Sequence, residues 1–162
     1  MIPVYQDKFA HIHGTGNCQN ACIASLLELP LREVDDILPT DPGDWHKRWN
    51  VWLAEKGYKL VLHLTGESDD KIPEGYAIAS VMTSRVFPEG HERAGKSISH
   101  AVIVFNGKLV HDPYPTGTEI QKINYYQTLE KLNVDERKIH RFEARKGLCL
   151  HGYLSTCKIC NE

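Results

Sequence analysis

The stretch GTGNCQNACIASLLELP, Gly14 to Pro30, puts a cysteine where a loop turns into a helix. Asn17 is a helix-capping residue type, and the pattern predicts a helix over 18–29, stopped by Pro30. Cys18 would then meet unpaired amides and the positive end of the helix dipole, which favour thiolate over thiol. The thiolate is the attacking species in covalent catalysis. Gly14 and Gly16, just upstream, let backbone approach a bound molecule closely. The competing reading makes Cys18 a small buried residue, since free cysteine is among the most buried types. Cys22, one turn on, lacks the helix-end field and reads as packing.

A nucleophilic cysteine needs a base, and the base needs an orienting group. Of nine histidines, His100 in SISHAVIVFNGKLVHDPYP is the most informative, because Asn106-Gly107 marks a hairpin between it and Asp112. Two registers are open. A two-residue loop pairs Phe105 with Lys108 and sends His100 and Asp112 to opposite faces. A three-residue loop, with Gly107 in a left-handed bulge, pairs Val104 with Lys108. It sets His100 directly across from Asp112, with β-carbons about 5 Å apart. In that register Asp112 can fix the imidazole tautomer, and His111 points to the other face. Taken singly, His100 is a strand-end histidine and Asp112 a turn residue before Pro113; together with Cys18 they form a constellation.

These side chains need a frame. The run of Ala21, Ile23, Ala24, Leu26, Leu27 and Leu29 is apolar almost all round, which predicts a helix buried in the middle of the fold. LREVDDIL reads as a short second helix with Val34 and Ile37 inward. DWHKRWNVWLAEKG reads as a third, capped by Asp44 and ended by Gly57, with Trp45, Trp49, Trp52 and Leu53 on one face. Beyond Gly57 the β-type runs YKLVLHL, GYAIASVM, HAVIVF and KLVHD predict strands. INYYQTLEKLN reads as a short helix and KIHRFEAR as a final strand. Helices first and mostly antiparallel strands after them give an α+β domain, helices packed on one side of the sheet. The long loop 84–99 has the character of a lid or binding loop. Its Arg85, His91, Arg93 and Lys96 are nearly cancelled by Glu89 and Glu92, which reads as a solvated segment.

The chain has 162 residues, 41% hydrophobic and 25% charged, enough for one real core. A net charge of −2 gives no nucleic-acid-binding surface. No stretch approaches the roughly 18 apolar residues of a membrane span, and the opening MIPVYQDKFAHIHG has no apolar signal run. The expectation is a cytoplasmic protein. Five cysteines, an odd number, argue against a disulfide framework. Cys149, His151, Cys157 and Cys160 in CLHGYLSTCKIC would suffice as a tetrahedral set for a structural zinc; the other reading is a tail of reduced thiols. That divides the chain into a catalytic domain over 1–146 and a Cys/His-containing tail over 147–162. His11 and His13, read as strand residues, could with His111 or Asp112 build a metal-dependent hydrolase, an alternative enzyme class.

GNCQNACIASLLELP followed by HAVIVFNGKLVHDPYP resembles the small papain-like cysteine hydrolases, in the style of the leader-peptidase-like branch of bacteriocin transporters. It is also similar to short papain-like proteins of phages and bacteria, a setting that would mean the host cytoplasm if the chain is phage-encoded. The resemblance covers residues 4–117. It implies a helix carrying Cys18 packed on a sheet carrying His100 and Asp112. It implies nucleophile, base and orienter for those three, and an oxyanion-holding glutamine, for which Gln6 is the candidate and Gln19 the rival. The expected chemistry is acyl transfer at an amide, isopeptide or thioester of a peptide or protein substrate, with no catalytic cofactor. A non-catalytic binding or inhibitor module on the same fold is the alternative.

Overall fold

The computed structural model describes residues 1–35, 37, 42–65, 72–133 and 135–136. The expected strand KIHRFEAR and the Cys149, His151, Cys157, Cys160 set lie outside the described residues. The elements are α1 (Ala10–His13), α2 (Cys18–Leu27), a 3-10 turn (Leu31–Glu33), α3 (Pro42–Glu55), β1 (Tyr58–Leu64), β2 (Tyr76–Val86), β3 (Ser97–Phe105), β4 (Lys108–His111) and β5 (Ile120–Lys131). The strands form one five-stranded antiparallel sheet in the order β1-β5-β2-β3-β4, so the class is α+β.

The described residues fall into two compact units, one drawn from Met1–Leu38 and Leu62–Thr128, the other from Pro39–Val61 and Leu129 onward. In the first, α2 packs on β3 and buries Asn20 to Ser25. Ala77, Ala79, Val81, Val102, Val104 and Tyr126 form a core cluster on the sheet. Residues 1–6 run extended beside α2 and the end of β4: Ile2 N–H donates to Ser25 O, Val4 N–H to Ser25 Oγ, and Gln6 N–H to Pro113 O. In the second unit Trp49 and Trp52 meet edge to face at 5.8 Å and are buried with Leu53, so these tryptophans are core. Asn50 Oδ1 accepts the Leu60 N–H, tying α3 to the first residues of β1.

Several expectations need correction. The segment read as a helix, INYYQTLEKLN, lies in β5 over residues 123–131, an internal strand between β1 and β2. Pairing with β2 and burial of Tyr126 and Gln127 outweigh the helix propensity of its Leu, Glu and Lys residues. His11 and His13 sit in the one-turn helix α1, not on a strand, and His13 Nδ1 accepts the Phe9 N–H. Asn17 makes no side-chain cap; its Oδ1 accepts the Lys8 N–H and its Nδ2 donates to Asp7. Asp44 does not cap α3, which begins at Pro42, a residue suited to a first helical position. Among the described residues of LREVDDIL, Leu31–Glu33 alone are helical, as a 3-10 turn, although Val34 and Ile37 are buried as expected. The loop after β2 is shorter than expected, because β2 runs to Val86 and β3 starts at Ser97. Its ends are tied by Phe87 N–H to Lys96 O, and buried Phe87 stacks on His91 with Arg93 over the ring. The connection is pinned at its base by Phe87, while residues 88–90 and 92–96 are exposed, as a solvated segment should be.

The β3–β4 hairpin settles the register. Phe105 pairs with Lys108 and Val104 with Leu109, so the loop has two residues. Asn106 (φ 49°) and Gly107 (φ 76°) are both left-handed, as a type I′ turn requires. Gly107→Ala should therefore destabilise the protein by about 1–2 kcal/mol. The cost comes from the backbone: the added methyl would meet Ile72 Cγ2 at 2.8 Å, but that exposed side chain can turn away. Urea unfolding of the variant should show a lower midpoint at unchanged slope, and an unaltered midpoint would refute the turn assignment.

Candidate active site

A two-residue loop continued without interruption would place Asp112 on the face opposite His100. The strand is interrupted. Ile103 pairs with His111 while Val104 pairs with Leu109, so Val110 is an extra residue, a one-residue β-bulge. Past the bulge the alternation is shifted by one, and Asp112 comes to lie on the side of Val102 and His100. It is the diagonal neighbour of His100, not the directly opposite residue of the three-residue-loop register. The imidazole spans that diagonal: His100 Nε2 and Asp112 Oδ1 are 2.7 Å apart. His111 faces the other way, and its Nε2 lies 2.9 Å from Val4 O.

Cys18 opens α2 and is half-buried. The His100 side chain and the backbone amides of Ala101 and Gln19 act on its sulfur, each favouring the thiolate. Because Nε2 is engaged by Asp112, the nitrogen left for Cys18 is Nδ1. Burial pushes the Cys18 thiol up, but the His100 hydrogen bond and charge, with the two amides, outweigh it and hold the thiol below its ordinary range. Burial also penalises the imidazolium, yet the Asp112 hydrogen bond and then Cys18 raise His100 to about 9. Asp112 resists the upward pull of its own burial; the His100 bond and the Tyr114 N–H to Oδ1 keep its carboxyl below the usual range. Its Oδ2 is buried without a hydrogen-bond partner, beside the Thr118 hydroxyl.

Cys22 gives the contrast within one helix. It is fully buried, and burial, then Cys18 and Asp112, push its thiol well above the ordinary value. It is packing.

Gln6 is buried beside this group. Its Nε2 donates to Lys8 O, 2.9 Å away, and the same carbonyl accepts the Asn17 N–H. The Gln6 amide therefore lies one shared acceptor away from the residue that precedes Cys18, with a second proton still to donate. Gln19 Nε2 instead donates to Gln127 Oε1 at 2.8 Å, so its side-chain amide is engaged on β5. Sequence reasoning missed the clasp that sets this geometry, in which Asn17 joins Asp7 and Lys8 across the loop. Asn17 drew attention, but as a cap. It also missed Tyr114, whose ring meets His100 at 6.4 Å and Phe9 at 5.5 Å, both edge on.

Among the described residues, no three of His, Cys, Asp and Glu converge as a metal-ligand set. No helix among them is long and apolar enough to cross a membrane. No family model, curated protein or solved structure matches the chain.

The bulge makes a sharp test available. Val110 is 46% exposed, so deleting it removes little packing. The deletion should return Asp112 to the face away from His100 and slow iodoacetamide alkylation of Cys18 at pH 7 by about tenfold or more. Circular dichroism should show the fold retained, and a folded deletion variant with an unchanged rate would show that register does not hold the pair.

Proposed function

We propose that the protein is a cysteine-dependent hydrolase or acyl transferase, a papain-like peptidase or amidase working through Cys18, His100 and Asp112. The observation that carries this reading is the 2.7 Å bond between His100 Nε2 and Asp112, with the same imidazole acting on a helix-start cysteine and favouring its thiolate. A structural cysteine does not need a base, an orienting carboxylate and two backbone amides. The arrangement of a cysteine helix packed on an antiparallel sheet that carries the histidine also supports the resemblance noted in the sequence.

In this reading His100 holds the Cys18 proton, giving a thiolate–imidazolium pair. The thiolate attacks the carbonyl carbon, a C–S bond forms, and the carbonyl oxygen takes the negative charge. Gln6 Nε2 and the Cys18 amide are the donors for that oxygen. The tetrahedral intermediate collapses, the C–N bond breaks, and His100 gives its proton to the departing amine. A water or another acceptor then attacks the thioester. His100 takes a proton from it, the C–S bond breaks, and Cys18 leaves as the thiolate, which restores the ion pair. Asp112 stays ionised and keeps the imidazole oriented. The substrate is a peptide or protein amide.

The test is hydrolysis of a peptide library followed by mass spectrometry. Cleavage or deamidation products should form with the wild type and vanish in Cys18→Ala. Products that survive in Cys18→Ala would overturn the assignment, as would a wild type inert to every peptide together with a Cys18 no more reactive than Cys22. Gln6→Ala should cut kcat/KM by about 10²–10³.

The pH dependence has a definite sign. The reactive state needs Cys18 deprotonated and His100 protonated. Its population is lost on the acid side only below the depressed thiol value, and on the alkaline side as pH rises through about 9, where His100 loses its proton. The kcat/KM profile should therefore be a bell whose alkaline limb falls near 9. A rate that keeps rising through pH 10, as for an ordinary thiol, would refute the ion pair.

A further inference from the structure

Arg85 stands on β2, one residue before its end. Its Cζ lies 3.9 Å from the centre of the Tyr114 ring, and that ring is the one packed edge on against His100. One aromatic ring therefore separates the guanidinium from the base. Tyr114 is itself fixed, because its N–H is bonded to Asp112 and its ring to Phe9. Arg85 has no anionic partner among the described residues, and its Nε is buried without a hydrogen bond. Lys59 differs, since it is 2.7 Å from Glu136. Glu89 and Glu92, the carboxylates nearest in sequence, are exposed and do not pair with Arg85.

A guanidinium held over an aromatic face still has N–H groups that can grip a carboxylate in a two-pronged way. Cys18 thiolate, His100 imidazolium, Asp112 carboxylate and Arg85 sum to zero charge, but the first three are bound to one another through His100, and the Arg85 guanidinium is left without a carboxylate of its own among the described residues. We propose that Arg85 makes the site selective for substrates carrying a carboxylate close to the scissile bond, either an acidic side chain or a chain-terminal carboxylate. This inference rests on the acyl-transfer reading above.

The test uses small alkylating probes and needs no known substrate. N-bromoacetyl glutamic acid α-amide carries a side-chain carboxylate, N-bromoacetyl glutamine a main-chain carboxylate, and N-bromoacetyl glutamine amide neither. Each is reacted with the full-length protein, and Cys18 alkylation is timed by mass spectrometry. At least one acid should react about tenfold faster than the neutral amide at low salt, and the preferred acid identifies the source of the carboxylate. In Arg85→Gln the acid-to-amide ratio should fall several-fold, and Arg85→Lys should recover part of it. A rapidly labelled Cys18 whose ratio is the same in wild type and Arg85→Gln overturns this inference and leaves the acyl-transfer reading standing. A Cys18 that the neutral amide labels no faster than Cys22 overturns both.

Discussion

Side chains alternate along a strand, so an aspartate on one strand reaches a histidine on the next only when the residue count between them has the right parity. In this hairpin the turn alone gives the wrong parity and a single extra residue corrects it. Everything chemical depends on that correction. Without the Asp112 bond, His100 would lose the largest contribution that offsets burial of its charge, and the cation that favours the Cys18 thiolate would be weakened. Bulges commonly re-aim a side chain beside a site, and this one does so at little packing cost because Val110 is exposed.

The second physical theme is how differently one helix treats two thiols. Cys18 and Cys22 are one turn apart and both experience burial, which disfavours the thiolate. Only Cys18 has an imidazole and two free amides to offset it. The Ala101 amide comes from β3; the Gln19 amide is left open because α2 has no side-chain cap, Asn17 turning its side chain away to hold Asp7 and Lys8. A capping asparagine would have taken one of the first-turn amides. Asn17 organises the loop instead, and the loop brings Gln6 and Lys8 beside the start of the helix.

Much of this was legible in the sequence, for identifiable reasons. Helix α2 was visible because its apolar residues run all round it, and β1 because its residues are β-formers bounded by a glycine. Cys18, His100 and Asp112 could be named because their types and spacing suit one another. Segment 120–131 was misread because its local preferences are mixed, and its state is decided by the strand it pairs with. The hairpin register was not legible because the bulge is set by no residue with a backbone signature: Val110 is an ordinary β-former, whereas Asn106-Gly107 announces itself. Asn17 was assigned the wrong partner for a similar reason. An asparagine before a helix suits a cap, and nothing local reveals that Asp7 and Lys8 compete for it.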